Sequence, residues 1–304
     1  MHELNNIYLE PVSDYRATLG EGPCWLEDKQ ALMWVDIEGK QLRFYYPGHA
    51  HDGGREEVYE LPERAGAAVG YTEHKVVLAL ENGFAYYDLN TRETTPIHDP
   101  ENREDNRFND GKCDAAGRFW AGTMSLVGKD KQGGFYCLEK DLSVRPIFGD
   151  VSTSNGLGWS PDETVMYYID TGTKKVQAFE FDVETGTLGA ERTVVSFEKE
   201  EGWPDGMTVD ADGNLWIAHY GGSRVSKWDP VSGLKLEEIM LPAQNVTSCA
   251  FGGADYRDLY ITTAADGVSD EDLAKLPLTG ALFVCRPGAQ GQPMHVFQPQ
   301  SISE

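Results

Sequence analysis

Cysteine is scarce and poorly placed for cross-linking: the five, Cys24, Cys113, Cys137, Cys249 and Cys285, lie in or beside apolar runs with no close pair. An odd, scattered set excludes a disulfide framework or a zinc knuckle and reads as buried thiols in a reducing compartment. Positive charge is also short. With 26 Lys and Arg against 50 Asp and Glu, the net charge is −24, which repels phosphate and argues against nucleic acid or an anionic membrane as partner. No apolar run approaches bilayer length, and residues 1–6 lack the basic and apolar segments of a secretory signal, so the expected location is cytoplasmic. The seven histidines show no metal-ligand spacing such as HExxH. His49 and His51 read as part of a solvated loop, and His219 as either a hydrogen-bonded structural group or a pocket wall. There is no Gly-X-Ser-X-Gly elbow, and Ser154 has no evident His partner, which disfavours a serine hydrolase. Helical spacing is nearly absent; residues 269–276, with Ser269 as N-cap, are the exception and predict one short helix.

What the chain does contain is a repeat. Asn109 is followed by Asp114, Gly117 and Phe119-Trp120; Asp205 is followed by Asp210, Gly213 and Leu215-Trp216, without a gap, 96 residues on. Glu21-Gly22-Pro23, leading to Trp25 and residues 32–35, and Asn155-Gly156, leading to Trp159 and residues 165–169, are the same unit with a different turn. With runs beginning near 66 and 247 there are six units, 42 to 50 residues apart. Each unit reads as β-runs joined by Asp-, Gly- or Pro-rich turns. That period, with about four strands per unit, predicts an all-β chain folded as a six-bladed β-propeller, one domain over residues 1–304. The ends are expected to close the ring by pairing residues near 7–9 or 15–18 beside residues 294–297, leaving no open edge.

Equivalent positions in the innermost strands of a propeller converge on its axis. Glu21, Asn109, Asn155 and Asp205 hold one such position, so two carboxylates and two amides are expected to face the central channel. Singly, Asn155-Gly156, Asp205-Gly206 and Asn109-Asp110-Gly111 could each be a turn, and Arg107 a surface charge. Glutamate has no such turn preference, and buried carboxylates converging on one axis demand a cation. Hard oxygen donors suit one divalent cation, Ca²⁺, Mg²⁺ or Mn²⁺, with Zn²⁺ less favoured.

The motifs Leu19-Gly20-Glu21-Gly22-Pro23-X-Trp25, Arg107-Phe108-Asn109-Asp110-Gly111-Lys112, Gly122-Thr123-Met124, Ser154-Asn155-Gly156-Leu157 and Pro204-Asp205-Gly206-Met207 resemble the SMP-30/gluconolactonase/regucalcin family over essentially the whole chain. The resemblance implies a six-bladed propeller with one divalent cation in the channel, held by Glu21, Asn155 and Asp205. It implies substrate contacts from Arg107 and Asn109, and Asp205 as catalytic acid/base. The implied activity is metal-dependent hydrolysis of a sugar lactone, a small-molecule partner, by a monomer or weak homodimer. The alternatives are a promiscuous aryl-esterase or organophosphatase, a calcium-binding regulator without turnover, and a protein-interaction propeller. One departure stands out: some animal members continue Gly-Thr-Met with Ala-Glu, whose glutamate reaches the substrate, whereas Ser125-Leu126 follow here.

Overall fold

The computed structural model describes residues 8–48 and 54–300, so His49 and His51 lie outside the described residues. Among these residues the strands form six four-stranded antiparallel sheets. Blade one consists of Gly20–Leu26, Ala31–Asp36, Gln41–Tyr46 and Arg55–Glu60. Blade two follows with Ala65–Thr72, Lys75–Leu80, Gly83–Asp88 and Thr94–His98, and blade three with Asn106–Cys113, Phe119–Ser125, Gly133–Leu138 and Val144–Val151. Blade four is Ser154–Trp159, Val165–Asp170, Lys175–Asp182 and Thr187–Ser196; blade five is Trp203–Val209, Leu215–Tyr220, Arg224–Asp229 and Leu234–Met240. Blade six takes Asn245–Gly252, Asp258–Ala264 and Phe283–Cys285 from the C-terminal part of the chain and Leu9–Pro11 from the N-terminal part.

The first strand of each blade, except for the late-closing sixth, is also the first in sequence, and each contacts the first strands of both neighbours, which closes an inner ring. Burial follows from that ring. Apolar side chains form six clusters, each shared by two adjacent blades: Met33, Val35 and Leu42 of blade one, for example, pack with Ala68, Leu78 and Tyr87 of blade two. The short helix is Asp270–Lys275, capped by the Ser269 hydroxyl accepting from the Asp272 N–H, between the second and third strands of blade six.

Ring closure differs from the expectation. Leu9–Pro11 pairs with Phe283–Cys285 and forms the outermost strand of blade six; residues 294–297 carry no strand. Instead the C-terminal segment crosses the end of the ring where first and second strands turn. The Gly291 N–H donates to the Tyr256 carbonyl at 2.7 Å, the Gln290 carbonyl accepts from Ala211 at 2.8 Å, and Phe297 donates to Gly70 at 2.8 Å and Gln298 to Gly117 at 2.9 Å, so it ties blades six, five, two and three together. Proline at 293 and the single-residue contacts on each turn leave no continuous edge against which it could extend a ladder.

The repeat seen in the sequence has a structural cause at this same end. The Asp114 carboxylate accepts from the Arg118 backbone N–H at 2.9 Å, Arg118 Nε at 2.6 Å and Trp120 Nε1 at 2.8 Å. In blade five Asp210 accepts from the Asn214 N–H at 2.8 Å and Trp216 Nε1 at 3.0 Å. Gly117 and Gly213, at φ 83° and 85°, take the left-handed conformation that these two turns require. Aspartate, glycine and tryptophan therefore recur because one buried carboxylate organises a turn and satisfies an indole. Asp114→Ala would leave the buried Arg118 guanidinium without its anion, a loss of about 3–5 kcal/mol. Urea unfolding at neutral pH, compared with the wild type, reads it directly; a change below ~1 kcal/mol would refute this account.

Candidate functional site

In four blades the inner strand is interrupted by a β-bulge at the positions singled out in the sequence. Pairing shifts between Glu21 and Cys24, between Phe108 and Gly111, between Ser154 and Leu157 and between Pro204 and Met207. Asn109-Asp110, Asn155-Gly156 and Asp205-Gly206 are thus the extra residues of their bulges, and Glu21 is the last paired residue before its own. A bulge bends the strand and re-aims the side chain it carries. Glycine lets the neighbouring inner strands approach at this level: a Cβ on Gly66 of blade two would lie 2.1 Å from the Asn109 carbonyl oxygen.

All five expected site residues, Glu21, Arg107, Asn109, Asn155 and Asp205, are buried. Their environments show one shared acidic site. Burial, then the charges of Asp205 and Asp110, push the Glu21 carboxyl well above its ordinary range. Burial, then Asp110, does the same to Asp205. Asp110, which read in the sequence as one member of a turn, is a third buried carboxylate; burial raises it too, opposed by the ammonium of Lys112 and by the Gly111 N–H, which donates at 2.7 Å. Lys112 Nζ donates in turn to the Met207 carbonyl at 2.9 Å. Arg107 is pushed below its usual value by burial, with Glu38 and Glu21 opposing.

The two amides are placed differently. Asn109 is engaged at both ends, accepting from Arg107 Nη1 at 2.6 Å and donating to the Ser154 carbonyl at 2.7 Å, so it braces blade three against blade four. Asn155 donates from Nδ2 to Thr171 Oγ1 at 2.9 Å, and that hydroxyl donates to the Pro204 carbonyl at 2.8 Å. The chain of bonds ties Asn155 to blade five, and its buried Oδ1 has no hydrogen-bond donor. Leaving it so costs about 1–3 kcal/mol. A buried orphan acceptor beside crowded carboxylates is a hard-donor set that fits a divalent cation. No cluster of three or more His, Cys, Asp or Glu with metal-holding geometry occurs among the described residues, so the fit rests on the amide together with Glu21 and Asp205.

Several residues of the site escaped sequence reasoning. Asp110 could have been found from its place beside Asn109 in a bulge rather than a turn; Thr171, on the turn after the second strand of blade four, gives no local signal. His219 is a structural group: fully buried, its Nε2 lies 2.6 Å from Ser226 Oγ and its Nδ1 2.9 Å from the Glu201 carbonyl. The cysteines are buried and unpaired, and burial pushes Cys24 and Cys249 up to about 12, which keeps them protonated and unreactive at neutral pH. No helix among the described residues is long and apolar enough to cross a membrane.

A six-bladed propeller with an acidic, amide-lined site on its inner strands defines the structural class. Residues 19–265 match the model of the SMP-30/Gluconolactonase/LRE-like region, and the chain belongs to that family. It is 40% identical over 297 residues to regucalcin of Danio rerio, covering 97% of this chain and 99% of that one. It is 39% identical over 272 residues to the Bacillus subtilis (strain 168) protein named "Putative sugar lactone lactonase YvrE", covering 89% and 92%. The solved structure of a calcium-binding protein, regucalcin, from Agrobacterium tumefaciens str. C58 superposes with a TM-score of 0.89 at 26% identity, covering 96% of this chain and 97% of that one.

The carboxylates give a pH dependence of definite sign. Folded-state values raised above unfolded ones near 4 mean that the folded protein binds more protons. Their stabilisation is therefore complete below the unfolded range and is lost as pH rises through the raised folded values. In EDTA, urea stability should fall across that window, and Glu21→Gln/Asp205→Asn should flatten the fall; identical profiles for the two proteins would contradict the assignment.

Proposed function

We propose that this protein hydrolyses sugar lactones, opening an aldonolactone to its aldonic acid. The observation that carries the reading is the buried Asn155 Oδ1 without a donor beside Glu21 and Asp205, on a chain whose relatives include one named for sugar lactone hydrolysis. Glu21, Asn155 and Asp205 would hold one divalent cation, Ca²⁺, Mg²⁺ or Mn²⁺, with Zn²⁺ less favoured by the oxygen donors, which would supply Lewis-acid polarisation of the lactone carbonyl. A regucalcin neighbour described as calcium-binding supports that class of ion.

The chain's own groups do the remaining work. Asp205 takes a proton from the attacking water as its oxygen bonds to the carbonyl carbon, then returns a proton to the ring oxygen as the C–O bond breaks; the new carboxylic acid ionises to solvent. Without a cation, burial and the charge of Asp110 push the Asp205 carboxyl upward; a cation held beside it would favour the ionised form, which is the form that accepts the proton. Arg107 spends one nitrogen, Nη1, on Asn109 and the Phe108 carbonyl, leaving its other N–H groups to orient the sugar hydroxyls. Asn109 holds that guanidinium in place, a positioning role that accounts for both ends of its amide being engaged. Fixing the ring in this way supplies a large share of the rate.

The experiment is lactone hydrolysis on a panel of pentono- and hexonolactones with each divalent cation, corrected for spontaneous ring opening. Asp205→Ala should lower kcat by about 10²–10⁴-fold at saturating metal. Arg107→Ala should raise KM and leave metal affinity nearly intact, and Glu21→Gln should weaken metal binding by titration. A wild type that binds the cation yet never exceeds the spontaneous rate would instead mark a cation-binding protein without turnover.

A further inference from the structure

Six of the seven tryptophans are packed in the inter-blade cores, none more than 6% exposed; Trp203 stands apart at 45%. It is the first residue of the blade-five inner strand, two positions before Asp205. Its neighbours tie it to the site. Pro204, the next residue, receives the Thr171 hydroxyl that also accepts from Asn155, so the blade-four turn bearing Thr171 packs directly on this strand. From the end of that same turn Lys174 sets its ammonium 4.0 Å from the Trp203 ring centroid, which fixes the indole and leaves much of it open to solvent. On the second strand Trp203 pairs with half-buried Tyr220, whose hydroxyl is anchored to the Asp266 carbonyl at 3.4 Å and whose ring is close enough to Asp205 and Glu21 to feel both charges.

An exposed indole on an otherwise strongly acidic protein costs solvation, and the blade-five cores do not use it: they are filled by Trp216, Trp228 and Phe197. A flat apolar face beside a polar site matches a cyclic sugar derivative, which presents hydroxyls at its edge and C–H bonds on its faces. We propose that Trp203, with Tyr220 behind it, is a specificity-determining residue whose indole stacks on the C–H face of the substrate ring while Arg107, across blade four, takes the hydroxyls. The assignment rests on the lactonase reading for its kinetics, but ring binding is separable from turnover. Trp203 contacts ring carbons away from the reacting carbonyl, so its contribution is shared by ground and transition states and falls on KM rather than kcat.

Two measurements test it. With D-glucono-δ-lactone, Trp203→Ala should raise KM about tenfold, the equivalent of about 1.4 kcal/mol, with kcat and metal affinity changed less than about twofold, and Trp203→Phe should restore most of the loss because a ring face remains. Unchanged KM in an active Trp203→Ala enzyme overturns the proposal and leaves the lactonase reading standing. A fall in kcat that Phe does not rescue assigns Trp203 to the scaffold and also overturns it. The second measurement needs no catalysis: tryptophan emission titrated with 1,5-anhydroglucitol, a sugar ring lacking the carbonyl. A saturable change in wild type that is lost in Trp203→Phe supports ring stacking even if no lactone is turned over, in which case only the lactonase reading fails. No change in wild type up to molar ligand overturns the stacking.

Discussion

Each blade of this protein has two apolar faces and can cover neither by itself; only the neighbours in a closed ring can. Every other feature depends on that constraint. Because burial is shared between adjacent blades, the inner strands must lie close, and small residues such as Gly66 permit the approach. Because the ring must close, the first described strand completes the last blade and the C-terminal segment is tied across blades six, five, two and three at one end. The space at the centre of the ring is lined by whichever side chains the inner strands turn toward it.

The bulges convert that scaffold into a site. A regular strand points its side chains into the two flanking cores, where a carboxylate would be intolerable. Placing an extra residue at one level of the ring frees Asn155, Asp205 and Asp110 from the alternation, and it concentrates charge. Three carboxylates share a low-dielectric space with one guanidinium and one ammonium, so their proton affinities rise together. Such an arrangement is stable when protons or a cation balance it. The same crowding that makes the three carboxylates costly to ionise together is what suits the site to a hard cation.

Charge also divides the molecule's two ends. One end is organised by buried aspartates in turns, Asp114 and Asp210, each satisfied by N–H donors and an indole, and is covered by the C-terminal segment. The other carries the loops after the second strands, with Thr171 and Lys174 of blade four reaching onto blade five. Aspartate is thus used in two opposite ways: fully hydrogen-bonded where it holds the fold, under-compensated where it faces the channel.

The sequence by itself determined the architecture. A period of 42 to 50 residues, strands joined by Asp- and Gly-bearing turns, and buried aromatics at fixed places in each unit leave a six-bladed ring as the way to cover every face. It also brought Glu21, Asn109, Asn155 and Asp205 to one level, because position in a repeat becomes position around an axis. Only the tertiary structure decided how those residues differ. Asn109 and Asn155 look alike in the chain, yet one amide is consumed between Arg107 and Ser154 while the other is left with a bare oxygen, because their partners come from other blades. Closure through Leu9–Pro11, the bracing of Asn155 by Thr171 and the exposure of Trp203 were hidden for the same reason. They depend on contacts between residues far apart in sequence, which no local pattern encodes.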